Sequence, residues 1–196
     1  GHCRFYKEAI MTILICFALE NEAGEHFADL SDQLLFTGVG KLNAAYSLTD
    51  AVTRRRPDLV INLGTAGSPT VKTGSVVCAT RFIQHDMDVS PLGFKVGETP
   101  FDPTPAVLEN GRSVSGLQEV TCGSGDRFVT GNTPAGCDVL EMEAYALAKV
   151  CLKENIPFIA LKYISDGADG AAAVDWPTAL DNAGRALRLA YNSIKA

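Results

Sequence analysis

The feature that most constrains the fold is a series of apolar runs that show little alternation of polar and apolar residues. Seven runs rich in Val, Ile, Leu and Phe lie at about 12–19, 34–38, 58–63, 75–83, 118–122, 137–141 and 157–164. Strands covered on both faces have this composition, whereas a strand with one wet face alternates. Helical spacing of apolar residues predicts helices at about 41–55, 142–155 and 177–194. Strands that alternate with helices indicate an α/β fold with a mainly parallel sheet.

Length and charge narrow the class of protein. A chain of 196 residues is most simply one domain, placed at 11–196, with residues 1–10 expected to be an N-terminal extension or a cloning remnant. The formal net charge of −6 argues against a nucleic-acid partner. Because no apolar run approaches the roughly 20 residues of a membrane-spanning helix, no membrane partner is expected either.

The cysteines and histidines show no metal-binding or disulfide spacing. The six cysteines contain no C-x-x-C pair, and most lie in apolar, strand-like surroundings. This usage is typical of buried free thiols in a reducing compartment, so the sequence predicts a cytoplasmic protein. The three histidines form no spaced pattern, and neither a metal nor a cofactor is expected.

Three carboxylates follow apolar segments, and they are the candidate functional residues. Asp166 comes where the last predicted strand should end, Glu22 follows the first strand, and Glu143 opens a helix after a short apolar segment. Open α/β sheets bind ligands beyond the carboxyl ends of their strands, which favours a working role for these side chains. For Glu143 a structural role is also open, since acidic residues in a first helical turn are favoured by the helix dipole.

Three glycine-containing turns could approach a ligand. The turn 38–41 precedes a helix, and its N–H groups could hold an anion, or it could be a tight strand-to-helix turn. The turn 62–67 closes a buried strand and offers the Thr65 hydroxyl, although a simple turn fits equally well. In the turn 124–129, Phe128 could stack on a planar base or belong to the core.

In order along the chain, these segments resemble the purine nucleoside phosphorylase/nucleosidase superfamily, and most of all its bacterial nucleosidases. The resemblance runs from about Ile13 to the last helix, and it implies a single-domain three-layer α/β/α sandwich with a mixed, mainly parallel central sheet. Its strongest pieces are Leu140-Glu141-Met142-Glu143-Ala144 and Ile164-Ser165-Asp166-Gly167-Ala168-Asp169. Supporting pieces are Ala18-Leu19-Glu20-Asn21-Glu22, Gly38-Val39-Gly40-Lys41, Asn62-Leu63-Gly64-Thr65-Ala66-Gly67 and Ser124-Gly125-Asp126-Arg127-Phe128-Val129.

The resemblance implies a purine nucleoside as the small-molecule partner and a role for each carboxylate. Asp166 matches the acid that protonates the leaving base, and Glu22 matches the base that activates water. Glu143 matches the carboxylate that binds the 2′- and 3′-hydroxyls of the ribose. An acid on one side and a base-activated water on the other parallel glycoside hydrolysis.

The resemblance also implies the remaining substrate contacts. Phe128 would stack on the purine and Val129 would meet its edge, while Met142 would lie against the ribose. Trp176 would cover the 5′-substituent, and Leu92 and Phe94 would come from the partner subunit of a homodimer. The other expected substrate-binding residues are Thr65, Gly67 and Ser165.

The choice between water and phosphate is left partly open. A phosphorylase usually holds phosphate with arginines, but the first loop has none and Asn62 stands at the matching strand end, which favours hydrolysis. Lys162 replaces the arginine that the family usually has four residues before the aspartate, and a point charge does not substitute for a planar fork. The segments 30–38 and 102–119 are short for the family. A phosphorylase, a futalosine-type nucleosidase and a non-catalytic nucleoside-binding protein are the alternatives.

Overall fold

One mixed sheet of eight strands organises the described part of the chain. The computed structural model describes residues 10–168 and 176–194, without the side chains of residues 176 and 177. The strands are β1 Ile13–Phe17, β2 Leu34–Phe36, β3 Leu59–Gly67, β4 Val76–Gln84, β5 Val107–Leu108, β6 Glu119–Ser124, β7 Val139–Glu141 and β8 Phe158–Asp166. The helices are α1 Glu20–Ala23, α2 Lys41–Arg54, α3 Ala144–Glu154 and α4 Trp176–Ile194, with 3-10 segments at Gly24–Gln33 and Ser90–Leu92.

The predicted elements are confirmed apart from a few residues at their ends, but the turn predicted at 62–67 is wrong, because β3 continues as strand to Gly67. Several short elements were missed. All seven predicted strands and all three predicted helices are present. The missed elements are α1, β5 and the two 3-10 segments, each of which is short or lacks a regular apolar period.

Five of the strands close into a ring. β8 pairs in parallel with β3 and antiparallel with β4, while β6 pairs in parallel with both β4 and β7. The ring is completed where β7 meets β3 through the single antiparallel pair Gly67–Leu140. β1 and β2 extend the sheet from β3, and β5 extends it from β4. The α/β class and the mixed central sheet are therefore confirmed, whereas the three-layer arrangement stays a prediction because this ring is not an open layer.

Two apolar cores cover the two faces of the sheet. The first packs α2 and α3 on the strands and includes Leu48, Leu147 and Cys151. The second packs α4 and the segment Gly24–Gln33 on the strands, with Phe27 against Phe17 at 5.0 Å between ring centroids. Burial on both faces explains the apolar runs without alternation.

Helix α4 also fixes the segment that carries Glu22. Arg188 donates two hydrogen bonds to Asp29, at 2.6 and 2.8 Å. Gly184 packs so closely that a Cβ there would lie 3.3 Å from the carbonyl oxygen of Glu22 and 2.8 Å from Cδ2 of His26. The last helix thus positions a residue near the start of the chain. None of the described helices is long and apolar enough to cross a membrane.

The packing of α4 predicts a contrast between two leucines. Leu187 is fully buried in the second core, whereas Leu189 is 67% exposed on the same helix. Leu187→Ala should lower the free energy of unfolding by about 2–5 kcal/mol because it leaves a cavity. Leu189→Ala should change it by less than about 0.5 kcal/mol. Urea unfolding of both variants tests this, and equal effects would contradict the described position of α4.

Candidate active site

A cavity of about 480 Å³ opens where β3, β7 and β8 end. Its volume is within the range of small-molecule sites. The pair Gly67–Leu140 brings the end of β7 beside the end of β3, and β8 runs along the other edge of β3. The lining residues are Ala18, Leu19, Glu22, Val39, Thr65, Ala66, Gly67, Arg127, Phe128, Val129, Leu140, Glu141, Met142, Glu143, Ser165, Asp166 and Ala168.

Most of the predicted site residues meet at this cavity. All three candidate carboxylates line it, together with Thr65, Gly67, Phe128, Val129, Met142 and Ser165. Leu92 and Phe94 do not line it; Leu92 is 74% exposed and Phe94 packs edge-on against Phe101 at 5.8 Å. A single chain does not test their assignment to a partner subunit, so it stays a prediction. The side chain of Trp176 lies outside the described residues.

Glu22 is a buried carboxylate held by the turn around it. Its Oε2 accepts a hydrogen bond from the Leu19 N–H at 3.0 Å. Its Oε1 accepts from the N–H and the hydroxyl of Thr65, at 3.3 and 3.2 Å. The carboxylate therefore has a fixed orientation at the cavity wall.

Asp166 stands at the last residue of β8, with both carboxylate oxygens hydrogen-bonded. The N–H of Ala168 donates to Oδ1 and the hydroxyl of Ser165 donates to Oδ2, each at 2.8 Å. A Cβ on Gly67 would be 2.8 Å from Oδ1. Only glycine at position 67 lets β3 pass this close to the carboxylate, and a bulge between Ala66 and Gly67 shifts the register there.

A buried ion pair with no role predicted from the sequence joins Glu141, in the cavity wall, to Lys162 behind it. Lys162 Nζ donates to Glu141 Oε2 at 3.1 Å, and the two side chains are 2% and 3% exposed. Glu141 also accepts hydrogen bonds from the Ser124 hydroxyl and from the N–H groups of Glu143 and Ala144. Burial alone would raise the pKa of Glu141, but Lys162 and these donors hold it below its usual value. Burial alone would lower the pKa of Lys162, but the carboxylate of Glu141 raises it above its usual value.

Glu143 has an electrostatic environment opposite to that of Glu141. It sits just before α3 and accepts one hydrogen bond, from the Gly40 N–H to Oε2 at 2.9 Å. Burial, together with the neighbouring negative charge of Glu141, raises the pKa of Glu143 to about 8. Since Lys162 is paired with Glu141, the Glu143 carboxyl group keeps its proton to a higher pH than an ordinary carboxyl group does.

The turn 38–41 holds anions, but they are the protein's own carboxylates. The Gly40 N–H is bound by Glu143, and the Lys41 N–H donates to Asp126 Oδ1 at 2.7 Å. Asn62 is buried and donates to the carbonyl oxygen of Cys16 at 3.1 Å, so it belongs to the strand pairing.

The apolar part of the wall includes the exposed ring of Phe128 and several residues that were not predicted from the sequence. Phe128 is 63% exposed and lines the cavity, which favours a ligand platform over the core alternative. Leu19, Val39 and Leu140 also line it and were not predicted individually. Apolar residues at strand ends look like core in a sequence, so only their neighbouring motifs pointed to them.

The site and the ring of strands define a member of a known family. Residues 34–196 match a family model described as "Phosphorylase superfamily". The chain belongs to this superfamily, as the sequence motifs predicted.

Curated relatives within this superfamily are nucleosidases. The chain is 34% identical over 174 residues to the 5′-methylthioadenosine/S-adenosylhomocysteine nucleosidase of Geobacillus kaustophilus (strain HTA426), with 78% of this chain and 74% of the relative covered. It is also 34% identical over 165 residues to the enzyme of that name from Haemophilus influenzae (strain PittEE), with 73% of this chain and 71% of the relative covered.

Solved structures share the fold at lower identity. Futalosine hydrolase of Helicobacter pylori superposes with a TM-score of 0.85 at 21% identity, covering 94% of this chain and 97% of that one. The structure of the Helicobacter pylori 5′-methylthioadenosine/S-adenosylhomocysteine nucleosidase with butyl-thio-DADMe-Immucillin-A superposes with a TM-score of 0.82 at 21% identity. The match covers 94% of this chain and 99% of that one.

The buried charges predict an unusual titration. The Glu143 carboxyl should titrate near pH 8, instead of near the ordinary value of 4.5. Glu141→Gln should lower the pKa of Glu143, because it removes the neighbouring negative charge and leaves the Lys162 ammonium. Carboxyl-carbon NMR over pH 4–10 measures this, with Glu143→Gln to assign the resonance. A wild-type Glu143 resonance that titrates near 4.5 would contradict the described environment.

Proposed function

We propose that the protein is a purine nucleosidase, which hydrolyses the N-glycosidic bond of a purine ribonucleoside and releases the free base. Its substrates would be nucleosides such as 5′-methylthioadenosine or S-adenosylhomocysteine, which appear in the names of its curated relatives. The observation that carries the proposal is the convergence of Glu22, Glu143 and Asp166 on one cavity beside the exposed ring of Phe128.

Breaking the N-glycosidic bond requires that positive charge on the ribose and negative charge on the leaving base both be stabilised. As the C1′–N bond breaks, its electron pair goes to the base and positive charge develops on the ribose. Asp166 donates a proton to the purine, so the base leaves as a neutral molecule. Water then forms the new bond at C1′, and Glu22 takes its proton. The hydrogen bonds of Glu22 to Thr65 and Leu19 fix the direction from which water is activated.

Glu143 and the apolar wall bind the substrate. Ionised Glu143 accepts hydrogen bonds from the 2′- and 3′-hydroxyls and stabilises the positive sugar ring. Phe128 stacks on the purine, Val129 meets its edge and Met142 lies against the ribose. Because the pKa of Glu143 is raised, its ionised fraction and the strength of this contact increase as pH rises toward about 8.

Water is favoured over phosphate as the nucleophile by the composition of the wall. Among the described residues, Arg127 is the only arginine or lysine that lines the cavity. The N–H groups of Gly38, Gly40 and Lys41 are already bound within the protein, and Asn62 donates to the carbonyl oxygen of Cys16. A phosphorylase needs several donors aimed at a phosphate.

We also propose a cytoplasmic homodimer with the three-layer arrangement of its family. Leu92 and Phe101 are 74% and 96% exposed, and Phe94 packs against Phe101. Exposed apolar surfaces of this kind often mark protein interfaces. Leu92 and Phe94 would enter the neighbouring subunit's pocket, and Trp176 would cover the 5′-substituent.

The proposed function is tested by the products. Incubation with methylthioadenosine, adenosylhomocysteine, adenosine and inosine, with and without phosphate, should release free base at a rate that does not depend on phosphate. The sugar product should be a free ribose. Base release that occurs only with phosphate, together with a ribose 1-phosphate, would support the phosphorylase alternative. Tight nucleoside binding without release would support a binding protein.

The assignment of the acid predicts the effect of Asp166→Asn. The amide keeps the shape but has no acidic proton for the leaving base. We expect kcat to fall at least ~10²-fold, the usual range for general acid catalysis. Single-turnover base release measures it, with Tm as a check on folding. Turnover near the wild-type rate would remove Asp166 from the mechanism.

Glu22→Gln and Glu143→Gln should change kcat and KM in different ways. Glu22→Gln should lower kcat with little change in KM, because the base acts mainly in the transition state. Glu143→Gln should raise KM and lower kcat, losing about 1.5–3 kcal/mol of binding and part of the preference for ribosides over 2′-deoxyribosides. Steady-state kinetics on both sugars measure this. If Glu143→Gln keeps KM and the sugar preference, its place at the helix start explains Glu143 better.

A further inference from the structure

The N–H groups of Gly40, just before α2, and of Lys41, its first residue, are bound to carboxylates from two different parts of the chain. The Gly40 N–H binds Glu143, and the Lys41 N–H binds Asp126, which lies two residues before Phe128. Gly40 has φ +95°, and a Cβ there would lie 3.2 Å from Asp126 Oδ1. The turn therefore needs glycine both for its backbone and for this close approach.

The Lys41 side chain closes a polar cluster around the same turn. Its Nζ donates to Asp86 Oδ1 at 2.5 Å and to Gln84 Oε1 at 2.9 Å, and the side chain is only 16% exposed. Asp86 Oδ2 in turn accepts the Asp126 N–H at 2.8 Å. Burial would raise the pKa of Asp86, but the hydrogen bonds from Lys41 and Asp126 hold it below its usual value. Lys41, Asp86 and Asp126 thus form a closed circuit of charged hydrogen bonds, which we name the Lys41 cluster.

The Lys41 cluster lies outside the cavity but holds parts of its wall. The side chains of Lys41, Asp86 and Asp126 are not among the lining residues. Their contacts reach the cavity through Gly40 to Glu143, and along the chain from Asp126 to Phe128. The hydrogen bonds of Glu22 and Asp166 are made to other residues.

We infer that Lys41 is a positioning residue, which through its cluster holds the ribose-binding Glu143 and the base-stacking Phe128 in register with each other. The inference rests on the proposed function for the identity of the two ligand groups. The base and the sugar of a nucleoside are joined by one covalent bond, so its affinity depends on the relative placement of the two contacts. Because Glu22 and Asp166 are held by separate hydrogen bonds, binding should suffer more than the chemical step.

The test removes the Lys41 ammonium group and measures recognition of the sugar and of the base separately. Lys41→Met should raise KM about ten- to hundredfold, the range expected for misplaced binding groups, and lower kcat much less. It should reduce the riboside to 2′-deoxyriboside ratio of kcat/KM, and it should weaken the binding of adenine measured by calorimetry. Lys41→Arg keeps the charge and the donors and should recover most of both effects. Arg54→Met, which removes an exposed ion pair with Asp50 on the same helix, should match the wild type.

Asp126 gives an independent variant if Lys41→Met fails to fold. Asp126→Ala removes the acceptor of the Lys41 N–H, whereas Asp126→Asn keeps an oxygen in its place. The alanine should reproduce both changes and the asparagine should show less of each. A folded Lys41→Met or Asp126→Ala protein with the wild-type sugar ratio and adenine affinity would overturn the inference. If the wild type releases no base, the proposed function fails, while adenine binding still decides whether Lys41 positions the base platform.

Discussion

The buried pair of Glu141 and Lys162 is the interaction on which the rest of the site depends. Glu141 joins β7 to the start of α3, because the same carboxylate accepts N–H groups of Glu143 and Ala144 and the hydroxyl of Ser124. Lys162 ties this junction to β8, four residues before Asp166. Removing one partner of a buried ion pair leaves an uncompensated charge, which typically costs 3–5 kcal/mol. The pair is therefore both a structural junction and the source of the charge that sets Glu143 apart from Glu141.

The sheet brings strand ends together in a way that an open parallel sheet would not. β7 runs antiparallel to β3, yet the two meet only at Gly67–Leu140, near the carboxyl end of each. The ends of β3, β7 and β8 can therefore share one cavity although β7 runs in the opposite direction to β3 and β8. The rule that ligands lie beyond strand carboxyl ends holds here because the ring closes through this one pair.

The sequence predicted long, doubly buried elements and charged residues at strand ends. Runs such as 157–164 show no alternation because helices cover both faces, and Asp166 stands out as the first charge after such a run. Glu141 and Lys162 could not be assigned, since their pairing depends on how β7 and β8 are placed in space. Leu19 and Val39 were missed because an apolar residue looks the same in a core and in a pocket wall. β5, at two residues, is too short to show a period.

The closed ring has a consequence for how the molecule can associate. Exposed strand edges invite pairing with other chains, and proteins limit this hazard by shortening or covering them. In the described part of the chain the terminal strands of the sheet are β2 and β5, with three and two residues. Such short edges offer little backbone for strand addition or cross-β growth. In the proposed homodimer, contacts between the subunits would therefore come from side chains such as Leu92 and Phe101, with a geometry set by shape complementarity and not by backbone hydrogen bonding.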